Sequence, residues 1–94
     1  MKLYHRTFEG EEILRDGFKD STGTWGTEVL STGVWFSDRA LDENEGGAGN
    51  AVMVIDIPEH KISDYEWIQR GLDYREWLVP AALADQYLVG TIFL

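Results

Sequence analysis

Short apolar runs alternate with polar, glycine-containing stretches along this chain, a pattern typical of a small domain built from short strands and few helices. The apolar runs predict strands over residues 2–6, 33–37, 51–57, 75–79 and 87–93, and short helices over residues 10–16 and 80–86. We therefore expect an α+β fold in which a split or curved β-sheet is accompanied by two or three short helices.

Punctuating residues mark the ends of the two predicted helices. In the helix over residues 10–16, Ile13 and Leu14 are expected to make the apolar contact, and Gly17 is placed to end the helix. Pro80 stands at the expected first position of the second helix, where a missing backbone N–H is tolerated. Both helices are predicted to be short and to pack on the sheet.

The segments between these elements are less regular. The near-continuous apolar run over residues 51–57 predicts a strand buried on both faces, and Pro58 ends it. Residues 19–32 are rich in glycine, serine and threonine, which predicts a loop containing a short strand at Thr27–Leu30. Residues 59–73 are expected to be irregular, with one helical turn.

Composition limits the classes of partner. The 94 residues predict one domain spanning residues 1–94, and 17 acidic against 8 basic side chains give a formal net charge of −9. Such a charge disfavours binding to nucleic acid and to anionic membranes, while a small anion could still be held locally by Arg6 or Arg39. The chain contains no cysteine and no segment of membrane-spanning length, so we expect a cytoplasmic protein without disulfides.

An acidic, glycine-rich stretch over residues 42–50 invites comparison with calcium-binding loops. Its acids and glycines do not follow the EF-hand spacing, so the stretch is interpreted as a solvated loop. The two histidines, His5 and His60, have no metal-ligand spacing, and no metal site is predicted. Ser37 lacks the glycine pattern of a hydrolase nucleophile, which disfavours a serine-based mechanism.

Three predicted strands each carry one polar or aromatic residue that a core does not need: His5, Trp35 and Glu76. Each has a structural alternative, namely a hydrogen-bonded core histidine, a cross-strand aromatic residue and a solvated glutamate at a strand end. Strand alternation predicts that Trp35 points away from the core face that takes Val34 and Phe36. Together the three indicate a site at which the strands converge on one small molecule, such as a nucleotide.

Four sequence islands resemble the ADP-ribosyltransferase superfamily, on its diphtheria-toxin and poly(ADP-ribose) polymerase side, whose members carry a His-Tyr-Glu triad on three strands. The islands follow the order of the family and are Tyr4-His5-Arg6-Thr7, Ile13-Leu14-Arg15-Asp16-Gly17-Phe18, Gly33-Val34-Trp35-Phe36-Ser37 and Glu76-Trp77-Leu78-Val79. Arg6 stands where the family has glycine, and Trp35 stands where it has tyrosine. The resemblance implies a fold of the ADP-ribosyltransferase type.

The resemblance also implies NAD as the bound molecule and assigns roles by position. The residues it implies as NAD contacts are His5, Arg6, Thr7, Trp35 and Ser37. His5 would bond a ribose hydroxyl, Trp35 would stack on the nicotinamide ring, and Glu76 would join His5 as the catalytic pair. Glu76 would stabilise the positive charge that develops on the ribose as nicotinamide leaves.

Two classes of function remain open from the sequence. The first is a small NAD-dependent ADP-ribosyltransferase that modifies an unknown protein or small-molecule acceptor, or hydrolyses NAD. The second is a non-catalytic module on the same fold that docks onto a basic protein, with residues 42–50 as a contact. RNA 2′-phosphotransferase chemistry, which uses the same cofactor, is disfavoured because the chain has few basic residues to hold RNA.

Overall fold

The computed structural model describes residues 1–45 and 47–94. It contains seven strands and two α-helices, together with 3₁₀ turns at Glu43–Glu45, Glu59–Lys61 and Ser63–Tyr65. The strands are β1 (Lys2–Thr7), β2 (Ser21–Gly23), β3 (Ser31–Ser37), β4 (Ala51–Asp56), β5 (Glu66–Trp67), β6 (Glu76–Val79) and β7 (Leu88–Phe93). The helices are α1 (Gly10–Asp16) and α2 (Ala81–Asp85). The expectation of an α+β domain is confirmed.

The strands form one open sheet in the order β5-β6-β3-β1-β4-β7, with β2 added alongside β3. Every pairing found between the described strands is antiparallel. Strand β1 pairs with β4 over its whole length but shares with β3 only the single register pair Tyr4 and Ser37. The two halves of the sheet therefore diverge beside the second half of β1.

The helices cover one face of this sheet, which we call the core face. Its alternating positions include Leu3 on β1, Phe36 on β3 and Trp77 on β6, all of them buried. They pack with Ile13 of α1 and Ala84 of α2. The opposite face, which we call the outer face, carries the other set of strand residues, so the hydrophobic core of the described residues lies on the core face.

Helix α1 ends where the sequence predicts. Gly17 has a φ of 87°, a left-handed conformation that favours glycine, and its backbone N–H donates to the Ile13 carbonyl. The chain then turns so that Phe18 enters the core and its backbone N–H donates to Asp85 Oδ1 at 2.7 Å. The end of α1 is thereby tied to the end of α2.

Some local predictions were wrong. Thr27–Leu30 is not a strand, because the polar segment Ser21–Gly23 pairs with the start of β3 instead and leaves Val29 and Leu30 exposed. Leu14 is also exposed, since the core contact of α1 is made by Ile13. The irregular segment over residues 59–73 contains two 3₁₀ turns and the short strand β5 rather than one helical turn.

The acidic stretch 42–50 is only partly a solvated loop. Its acidic side chains Asp42 and Glu43 are exposed, whereas Gly47 and Gly49 are buried. A side chain at Gly49 would collide with the backbone of Thr7, so glycine allows this loop to lie directly against β1. Gly46, which falls within the predicted loop, lies outside the described residues.

Burial predicts different consequences for the same substitution at two isoleucines. Ile55 on β4 is fully buried, whereas Ile68 is 85 % exposed. We expect Ile55→Ala to lower the free energy of unfolding by about 2–5 kcal/mol, because it removes apolar contacts and leaves a cavity. Ile68→Ala should change it by less than about 0.5 kcal/mol. Urea unfolding of both variants measures the difference, and similar losses would contradict this assignment of the core.

Candidate functional site

Three cavities adjoin one another around the place where β1 and β3 separate. The first has a volume of about 480 Å³, the second about 230 Å³ and the third about 330 Å³. His5, Arg6, Trp35 and Ala48 line both the first and the second cavity. Trp35, Leu41 and Glu76 line both the second and the third. The shared wall residues thus place the three hollows in a row.

His5 holds the two diverging strands together. Its Nδ1 lies 2.7 Å from the carbonyl oxygen of Trp35, and because a carbonyl can only accept, the proton is on Nδ1. Burial lowers the pKa of His5, so the ring is neutral near pH 7 and its Nε2 carries a lone pair. The ring also packs against Phe18 and Phe36, with centroids 6.0 and 5.6 Å away. His5 is therefore both a core residue and a wall of the site.

Register places His5 and the other two candidates on different faces. His5 is opposite Met53 on the core face, whereas Trp35 and Glu76 belong to the outer face. All three still line one cavity, the second, beside the gap between β1 and β3. The three residues thus meet at the second cavity although they come from opposite faces of the sheet.

Trp35 and Ser37 lie on the outer face of β3, as alternation predicts for Trp35. Trp35 is half-buried and forms part of the wall of all three cavities. Ser37 is buried in the wall of the second, where its hydroxyl donates to the backbone carbonyl of Arg39. A ligand at this position would meet the Trp35 side chain and a serine oxygen that can accept a hydrogen bond.

Glu76 is a half-buried carboxylate at the junction of the second and third cavities. Burial raises its pKa, and within residues 1–45 and 47–94 no cation offsets that effect. Its neighbour Arg75 points away, forming an ion pair with Glu66 at 2.8 Å and lying over the ring of Trp77. A carboxylate kept partly from water without a partner is a recurrent mark of functional sites.

Arg6 and Thr7 serve the walls of the site in different ways. Arg6 Nε donates to the Gly49 carbonyl at 2.9 Å and Nη1 donates to the Leu41 carbonyl at 3.2 Å, so the guanidinium anchors the loop that covers the second cavity. Thr7 lines the first cavity only, and its hydroxyl accepts a hydrogen bond from the Glu9 backbone N–H. Thr7 is therefore not brought to the same hollow as Glu76.

The site also contains two tryptophans that were not predicted from the sequence. Trp67 on β5 is the register partner of Glu76, and Trp25 comes from the loop after β2. Both line the third cavity beside Trp35. The sequence signal that could have indicated Trp25 is its position as a large aromatic residue in a polar loop between glycines. The sequence did not reveal that it packs near Glu76.

Comparison of the chain with protein-family models, curated proteins and solved structures finds no match. Across the described part of the chain, no helix has both the length and the apolar character needed to cross a membrane. The same residues contain no group of three histidine, aspartate or glutamate side chains placed to hold a metal ion.

The pKa of Glu76 gives the site a measurable effect on stability. Because the folded state binds this proton more tightly than the unfolded chain does, ionised Glu76 destabilises the fold. The contribution of protonated Glu76 to folding stability is fully present below the ordinary glutamate pKa of about 4.3. It is lost as the pH rises through the raised pKa. We expect Glu76→Gln to raise the Tm near pH 7. This increase in Tm should disappear at about pH 4.

Glu66 provides a matched control of opposite sign. The hydrogen bond from Arg75 lowers the pKa of Glu66, so its ionised form stabilises the fold above the ordinary glutamate pKa. Glu66→Gln should lower the Tm at neutral pH, and this loss should fade as pH falls. Melting curves of both variants across this range would contradict the assignment if Glu76→Gln also lowered the Tm at neutral pH.

Proposed function

We infer that this chain is a small ADP-ribosyltransferase-like domain that binds NAD in the gap between β1 and β3 and cleaves its bond to nicotinamide. The observation that carries the proposal is the position of Glu76. This half-buried carboxylate, without a cation among the described residues, stands between two cavities, one of which is lined by His5 and Trp35. The ordered resemblance of four sequence islands to that superfamily also supports this assignment.

The first two cavities offer space and polar side chains for a dinucleotide. The first falls within the range of about 300–1,000 Å³ typical of small-molecule sites, and the second continues from it. Arg6 and Lys19 bring positive charge to the first cavity, although Glu9 and Glu12 also line it. We place the diphosphate toward Arg6 and Lys19, which leaves the nicotinamide half for the second cavity.

The side chains of the second cavity have distinct tasks in this proposal. Neutral His5 accepts a ribose hydroxyl hydrogen bond at Nε2 while Nδ1 remains bonded to Trp35. Trp35 offers its ring to the flat nicotinamide, and Ser37 offers an oxygen acceptor to the carboxamide. These contacts hold the sugar–nicotinamide bond beside Glu76.

Glu76 supplies the electrostatic part of the reaction. As the bond between ribose carbon and nicotinamide nitrogen breaks, its electron pair goes to nicotinamide and positive charge develops on the sugar. A fixed carboxylate in a partly dry site stabilises that charge without reorganising. The acceptor, a nucleophile or water in the third cavity, then bonds to the same carbon and gives up its proton to the carboxylate or to solvent.

Nicotinamide release tests the proposal directly. Incubation with NAD, followed by chromatography of the products, should show release by the unaltered protein and a rate at least about 10²-fold lower for Glu76→Gln. Glu66→Gln should retain the rate, because that carboxylate is occupied by Arg75. If the unaltered protein releases no nicotinamide and NAD does not raise its Tm, the proposal fails and a non-catalytic binding module is favoured.

Histidine substitutions test the NAD contact separately from the chemistry. His5→Ala removes the proposed ribose partner together with the bond to the Trp35 carbonyl, and should raise the Kd for NAD by at least about tenfold. His60→Ala removes an exposed histidine that lines none of the three cavities and should leave the Kd unchanged. Calorimetric titration of folded samples measures both values, and equal affinities would remove His5 from the proposed site.

A further inference from the structure

The third cavity is bounded by three indole rings that stand nearly perpendicular to one another. The Trp25 and Trp35 rings have centroids 5.1 Å apart at 87°, and those of Trp35 and Trp67 are 5.2 Å apart at 76°. Trp25 and Trp67 are separated by 6.4 Å at 85°. All three side chains line the same hollow, which therefore has an aromatic wall built from three indoles.

These tryptophans are brought together by three separate parts of the chain. Trp35 is on the outer face of β3, and Trp67 shares that face because it is the register partner of Glu76. Trp25 adopts a φ of 44°, an uncommon conformation for a side chain-bearing residue, and remains 38 % exposed. A cluster that remains partly open and surrounds a cavity differs from the closed core on the other face.

The charge of the third cavity is negative. Glu76 lines it as the carboxylate that burial keeps from full solvation. Glu45 lines it too, but its charge is offset by an ion pair with Arg39, which also binds Asp73 at 3.0 Å. A cation entering the third cavity would therefore meet one available carboxylate and three tryptophan side chains.

We propose that the third cavity binds an organic monocation, a methylated ammonium or a guanidinium group, held between the indole walls and the Glu76 carboxylate. Cations are attracted to aromatic faces within about 6 Å, most strongly to tryptophan, and a nearby carboxylate adds a charge partner. Small alkali ions fit less well, because they hold their water. If the proposed transfer reaction holds, this cation anchors the acceptor, and that extension alone rests on the proposed function.

Calorimetric titration with choline, in the absence of NAD, tests the site. Choline should bind the unaltered protein with a Kd of about 1 mM or tighter, whereas its neutral isostere 3,3-dimethylbutan-1-ol should bind at least about tenfold more weakly. Methylguanidinium in a parallel titration identifies which cation is preferred. Equal binding of choline and the alcohol, or no binding of either cation, would overturn the proposal.

Substitutions at the exposed Trp25 separate a cation site from a merely apolar one. Trp25→Leu keeps an apolar side chain but removes the ring, and should weaken choline binding by about three- to thirty-fold. Trp25→Phe retains a smaller aromatic ring, so its affinity for choline should lie between those of the unaltered protein and Trp25→Leu. Melting curves establish that each variant is folded. Trp67→Phe tests the contribution of a second tryptophan of the cavity in the same way. Unchanged choline affinity in folded Trp25→Leu would contradict the aromatic contact.

The same variants distinguish failure of this inference from failure of the proposed function. Trp25 lines neither of the cavities assigned to NAD, so Trp25→Leu should retain the increase in Tm caused by NAD. Choline binding without nicotinamide release would support the cation site and reject the transferase. Nicotinamide release without choline or methylguanidinium binding would support the transferase and reject the cation site.

Discussion

The hydrogen bond from His5 to the Trp35 carbonyl is the contact on which the arrangement of this protein depends. Strands β1 and β3 share one register pair, and beside it the imidazole takes the place of the next backbone bond. Further backbone pairing along these strands would close the gap and remove the hollows beside it. Complete separation would leave a partly buried backbone carbonyl without a partner, at a cost in stability. The side chain therefore keeps the sheet both intact and open.

Charge pairing separates Glu76 from the acids nearest to it, Glu45 and Glu66. Arg39 is held by Glu45 and Asp73, and Arg75 is held by Glu66 with Glu59 nearby. These pairs lie at or near the surface and contribute little stability individually. Their consequence for the site is that neighbouring cations are already engaged. A cationic ligand, or a sugar that becomes cationic, is then the natural partner of the Glu76 carboxylate.

Local sequence signals predicted the helices and strands better than the contacts between their side chains. The bounds of α1, its end at Gly17 and the outward direction of Trp35 follow from helix-ending chemistry and strand alternation. The failed strand at Thr27–Leu30 reflects tertiary pairing, which selected Ser21–Gly23 instead. The third cavity could not be predicted from local sequence either. Its tryptophans are brought together by the register of β5 against β6 and by the path of a loop.

Arg6 links the stability of the fold to the shape of the site. Where the resembling family carries glycine, this chain carries a guanidinium whose Nε and Nη1 bind the carbonyls of Gly49 and Leu41. The side chain is thereby drawn toward the covering loop, while the second cavity retains a volume of about 230 Å³ beside it. Gly49 completes the contact, because a larger residue would collide with the Thr7 backbone. An arginine at this position is thus compatible with an open pocket because it fixes the pocket's outer wall.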